Sequence, residues 1–85
     1  MNISIIGTGY VGLVSGACFA KLGNNVICVD IDEEIVNKIN SGITPIFEKD
    51  LDKLLLEYKE KINAIVDIKT AIEKTDITFI CVGTP

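Results

Sequence analysis

Apolar residues fall along this chain in two alternating rhythms. Short, nearly continuous runs occur at 2–6 (NISII), 26–30 (VICVD), 62–66 (INAIV) and 77–82 (ITFICV). Runs of this length without polar alternation suit strands that are covered on both faces. Between them the spacing lengthens to that of a helix. From Tyr10 to Leu22, small residues recur every four positions at Gly12, Gly16 and Ala20. They line one helical face and allow a close approach to a sheet, and Gly23 stands where that helix should stop. Asp32 is placed to cap a second helix, with Ile35, Val36 and Ile39 turned inward and Gly42 closing it.

Ser41 to Pro45 reads as a loop, because Pro45 lacks an amide donor and biases Thr44 toward extended backbone. Leu51, Leu54, Leu55 and Tyr58 then repeat at i, i+3, i+4 and i+7, which predicts a third helix with a core-facing stripe. Asp67 can cap a short fourth helix carrying Ile68, Ala71 and Ile72 on one side. Strands alternating with helices predict an α/β fold with a parallel sheet and right-handed crossovers. In the doubly wound arrangement the four strands lie 3-2-1-4, with helices on both faces. No repeat, linker or low-complexity segment interrupts the pattern.

Charge narrows the range of partners. The chain has 8 basic and 12 acidic residues, net −4, so no general field draws it toward nucleic acid or an anionic membrane. No apolar stretch approaches the length of a membrane span, and the run from Ile3 to Ile6 is too short for a secretory signal. A soluble, cytoplasmic protein is expected. Cys18, Cys28 and Cys81 form no C-x-x-C pair and sit within apolar segments. They are expected to be buried, reduced thiols, and no metal role is assigned.

The turn after the first strand carries the chemistry. Gly7-Thr8-Gly9-Tyr10-Val11-Gly12 has the G-x-G-x-x-G spacing, follows a strand, opens a helix, and is followed by Asp30 at the end of the next strand. That context makes it a dinucleotide-binding (Rossmann) fingerprint. Gly7 permits the tight turn, Gly9 lets a pyrophosphate approach the backbone, and Gly12 lets the helix pack on the strand. Tyr10 and Val11 fall in the first helical turn, where free amides and the helix dipole favour an anion. Asp30 can accept from both ribose hydroxyls and would repel a 2′-phosphate, and Ile31 supplies no arginine to receive one. NAD is therefore expected rather than NADP.

Gly7-Thr8-Gly9-Tyr10-Val11-Gly12-Leu13, Val29-Asp30-Ile31-Asp32, Gly42-Ile43-Thr44-Pro45-Ile46-Phe47-Glu48 and Val82-Gly83-Thr84-Pro85 together resemble the UDP-glucose/GDP-mannose dehydrogenase family. The resemblance spans essentially the whole chain. Two positions depart from the family's pattern: Lys49-Asp50-Leu51 replaces its usual Pro-Gly-Leu, and Ile35 stands where a basic residue is frequent.

The resemblance implies oxidation of a nucleotide sugar, UDP-glucose to UDP-glucuronate, by two hydride transfers to NAD through a cysteine-bound intermediate. It also implies a homo-oligomeric full-length protein. It places Thr84 against the cofactor. None of the three cysteines matches the family's catalytic motif, so no catalytic residue is assigned within this chain. At 48% hydrophobic and mean hydropathy +0.42, the segment is rich in apolar surface for its size. Residues 1–85 are expected to be the N-terminal part of a larger NAD-binding domain. Two other classes share the fingerprint: a ligand-sensing module without turnover, and an NAD-dependent hydroxy-acid dehydrogenase.

Overall fold

The computed structural model describes residues 1–45 and 49–82. In chain order it contains β1 (Asn2–Ile6), α1 (Tyr10–Lys21), β2 (Asn25–Val29), α2 (Glu33–Asn40), α3 (Lys49–Glu57), a 3₁₀ turn (Lys59–Lys61), β3 (Ile62–Ile65), α4 (Ile68–Lys74) and β4 (Ile77–Ile80). All four strands are parallel, in the order β3-β2-β1-β4. The predicted topology is the observed one. The strands end slightly earlier than the apolar runs suggest, so Asp30, Val66, Cys81 and Val82 lie just beyond strand ends, where the chain turns away from the sheet.

The pleat divides the buried side chains between two layers. On one face Ile3, Ile5, Val26, Cys28, Ile62 and Ala64 meet α1, α2 and α3 through Leu13, Ala17, Val36, Ile39, Leu51 and Leu55. On the other, Ile6 and Val29 pack against Ala71 of α4. The Leu51–Tyr58 stripe points into the first layer as predicted, with Leu54 and Tyr58 at its margin. Ile35 also packs against that layer. In α4 only Ala71 is buried, while Ile68 and Ile72 are about half exposed. Gly16 lets α1 lie close to the sheet: a Cβ there would sit 3.4 Å from the Cys28 sulfur and from Val26.

Two helix starts are closed by aspartates, as expected. Asp32 accepts from the Glu34 amide at 2.9 Å, and Asp67 accepts from the Lys69 amide at 3.1 Å and the Thr70 hydroxyl at 2.6 Å. Among the described residues no helix is long and apolar enough to cross a membrane.

The two sheet edges differ. At the β3 edge the Asn40 side chain behaves as a peptide unit: its amide donates to the Ala64 carbonyl at 2.9 Å, and its oxygen accepts from the Ala64 amide at 2.7 Å. At the β4 edge the side chains are largely uncovered, with Ile80 74% and Val82 63% exposed. Inside the sheet, Ser4 is fully buried, and its hydroxyl is satisfied by Thr78 at 2.7 Å and Thr75 at 2.9 Å.

The cysteines correct one expectation. Cys28 is buried, Cys81 is half-buried, and Cys18 is exposed. Cys18 lies two positions from both Gly16 and Ala20, which turns it to the side of α1 away from the sheet. The continuous apolarity of that helix conceals its solvent face.

Candidate functional site

At the carboxyl end of β1 the backbone turns through Gly7 with φ +102°, a conformation that L side chains rarely adopt. The Gly7 amide donates to the Val29 carbonyl at 2.9 Å and ties the turn to the end of β2. Gly12 is required by contact: a Cβ there would stand 2.1 Å from the Gly7 carbonyl oxygen. Gly9 differs from both. Its φ of −69° suits any residue, and a Cβ there would meet nothing within 4 Å. The fold alone does not demand a glycine at this position.

Gly9 is also the N-cap of α1 and brings no side chain to the amides of the first turn. The Leu13 amide closes on the Gly9 carbonyl at 3.0 Å. The amides of Tyr10, Val11 and Gly12 precede it, at the positive end of the helix dipole. Tyr10 and Val11 are both exposed. An anion-accepting helix end therefore opens beside the glycine turn.

Asp30 faces this loop from the end of β2. Its Oδ2 accepts the hydroxyl of Thr8, and its Oδ1 accepts the Asp32 amide at 2.9 Å. Thr8 is only 4% exposed. Since a carboxylate offers about four acceptor positions, each Asp30 oxygen keeps capacity for one further donor. The acidic run Asp30, Asp32, Glu33 and Glu34 crowds negative charge at this corner.

A cleft of about 480 Å³ opens above the strand ends, between Gly7 and Asp30 on one side and the apolar Ile31, Val66, Ile68 and Val82 on the other. Ile31 is 90% exposed and lines the cleft together with Val66, Ile68 and Val82. Asp67 lies at the rim, and its hydrogen bond from Thr70 holds its carboxyl below the ordinary 3.8. A larger hollow of about 680 Å³ runs along β3. It contains none of the fingerprint residues, and its charged groups, Lys59, Glu60 and Lys74, are all exposed.

The structure thus brings Gly7, Thr8, Gly9, Tyr10, Val11, Gly12 and Asp30 to one corner. Thr84 lies outside the described residues. Sequence reasoning missed the apolar wall of Val66, Ile68 and Val82, and treated Ile31 only as the lack of an arginine. The signal was available, since each of these residues follows or ends a predicted strand, and in a 3-2-1-4 sheet those ends converge. Cys28 is inert here, its thiol pushed up to about 12 by burial and, secondarily, by Cys81.

The model of the UDP-glucose/GDP-mannose dehydrogenase family's NAD binding domain matches residues 1–85. The chain belongs to that family. Its cofactor is NAD. It is 48% identical to the UDP-glucose 6-dehydrogenase of Rhizobium meliloti, an alignment covering 100% of this chain and 20% of that one. It is 47% identical to UDP-glucose 6-dehydrogenase TuaD of Bacillus subtilis, covering 99% and 19%. Among solved structures, a ternary complex of GDP-mannose dehydrogenase from Pseudomonas aeruginosa superposes with a TM-score of 0.95 at 41% identity, covering 100% of this chain and 20% of that one. The chain spans about one fifth of the length of the curated relatives it matches.

Proposed function

We propose that this chain is the cofactor-holding N-terminal part of the NAD-binding domain of a UDP-glucose 6-dehydrogenase, which oxidises the sugar's primary alcohol to a carboxylate. The observation that carries the reading is the Asp30 carboxylate standing across from the first-turn amides of α1, with an apolar cleft between strand ends beside them. The fit to NAD is favourable on three counts. Gly9 leaves open space where any side chain would project. Asp30 retains one acceptor position per oxygen, matching the two hydroxyls of a ribose. Ile31, Val66 and Ile68 offer apolar surface for a flat adenine.

In this reading the amides of Tyr10, Val11 and Gly12 hold the pyrophosphate by dipole and hydrogen bond, so a chain of net −4 needs no lysine there. Asp30 grips the adenosine ribose and, with Asp32 and Glu33 nearby, repels a 2′-phosphate. Thr84 is assigned to the cofactor's side on family resemblance. NAD would supply the hydride acceptor, one molecule for each of the two hydrides lost in succession from the carbon of the primary alcohol. The full-length protein is read as a cytoplasmic homo-oligomer whose nucleotide-sugar contacts belong to other segments.

The test uses the full-length protein. Two NADH should form per UDP-glucose consumed, and Asp30→Ala should weaken NAD while narrowing its advantage over NADP. Turnover of GDP-mannose but not UDP-glucose would move the substrate assignment to the family's other branch. An unchanged nucleotide preference in Asp30→Ala would remove Asp30 from the site.

A further inference from the structure

We infer that Thr8 is a positioning residue: through its hydroxyl it fixes the Asp30 carboxylate in the orientation that receives the adenosine ribose, and so sets the preference for NAD over NADP. The inference rests on the assignment of Asp30 to the ribose made above.

Thr8 lies in the glycine loop, yet its side chain is buried and turned away from the helix end toward β2. Its one hydroxyl proton is committed to Asp30 Oδ2, so it has none to give a phosphate. Asp30 Oδ1 is held independently by the Asp32 amide at 2.9 Å. Two tethers on opposite oxygens stop rotation about the carboxyl bond. With the Thr8 tether gone, one remains, and the group can swing about it.

The orientation matters because the two occupied acceptor positions leave one on each oxygen, the pattern that a vicinal diol fills with two donors. A ribose carrying a 2′-phosphate brings one donor fewer and adds negative charge beside Asp30, Asp32 and Glu33. A swinging carboxylate loses most of its grip on the diol while its repulsion of the phosphate persists only in part. Discrimination should therefore fall more than overall nucleotide affinity. Thr8 also joins the two halves of the site, since its backbone belongs to the loop and its side chain to the ribose clamp.

The experiment measures NAD and NADP affinities by calorimetry in the full-length protein for Thr8→Val, Thr8→Ser, Asp30→Ala and the Thr8→Val/Asp30→Ala double variant. Thr8→Val, nearly equal in shape, should weaken NAD about tenfold with little change in NADP, as loss of a hydrogen bond to a charged group allows. Thr8→Ser should restore the preference. In the Asp30→Ala background, Thr8→Val should alter the ratio no further.

Equal weakening of both nucleotides by Thr8→Val would overturn the proposal, as would an undiminished effect in the Asp30→Ala background. If Asp30→Ala collapses the preference and Thr8→Val does not, the positioning role fails alone and the ribose assignment stands. If Asp30→Ala leaves the preference intact, both fail. Should Thr8→Val not fold, Thr8→Ala removes the hydroxyl with less bulk and is read by the same criteria.

Discussion

A methyl group placed on Gly12 would lie 2.1 Å from a backbone oxygen, whereas one placed on Gly9 would touch nothing. Two alanine variants in one motif should therefore fail in different ways. Gly12→Ala should destabilise the protein by several kcal/mol (~3 or more), since backbone must move to admit it. Gly9→Ala should cost about 1 kcal/mol or less as a poorer N-cap, yet weaken NAD at least about tenfold if the pyrophosphate packs on that backbone. Paired thermal melts and NAD titrations distinguish the two. The G-x-G-x-x-G spacing and a separate task for each glycine were legible in the sequence; which atoms forbid a side chain at Gly7 and Gly12 was not, because those are the spatial neighbours Cys81 and Gly7. Cys28 makes a similar point. Its thiol, pushed up to about 12 by burial, should resist alkylation in the native protein and label only after unfolding, by mass spectrometry.

At the level of elements, the sequence pattern placed every strand and helix because apolar runs, caps and glycine stops agreed with one another. It misread α1, whose apolar residues run all round the helix and gave no cue that Cys18 faces outward. It also passed over Asn40, because an asparagine near a helix end suggests a cap and not a strand partner. Replacing it, Asn40→Ala, should lower stability by roughly 1–2 kcal/mol in urea titrations, the usual loss for paired hydrogen bonds partly replaced by water. The Asp67 cap of α4 gives a pH-dependent contrast. Its folded-state pKa is depressed, chiefly by the Thr70 hydroxyl. The cap's contribution is thus present above the ordinary 3.8 and lost as pH falls through the lower folded value. The stability gap between wild type and Asp67→Ala should be open at neutral pH and should close only in stronger acid.

For the molecule as a whole, the strand order 3-2-1-4 puts the ends of all four parallel strands side by side, and residues as far apart in sequence as Ile6 and Val82 form one cleft. Alternation pointed to a parallel sheet, and the order followed from the doubly wound arrangement that the glycine fingerprint implies. What covers β4 could not be read, since an apolar strand looks the same whether its partner lies within this segment or beyond it. If residues 1–85 are part of a larger domain, Ile80→Lys in the full-length protein should destabilise it by several kcal/mol (~3 or more), as a charge buried without a partner does. An unchanged melting temperature would mean that Ile80 faces solvent there. The Asn40 amide lying across Ala64 acts as a stopper in the middle of the β3 margin. A stray strand arriving at that margin finds the docking groups of Ala64 already taken, so continuous fibre-like pairing along β3 is interrupted there.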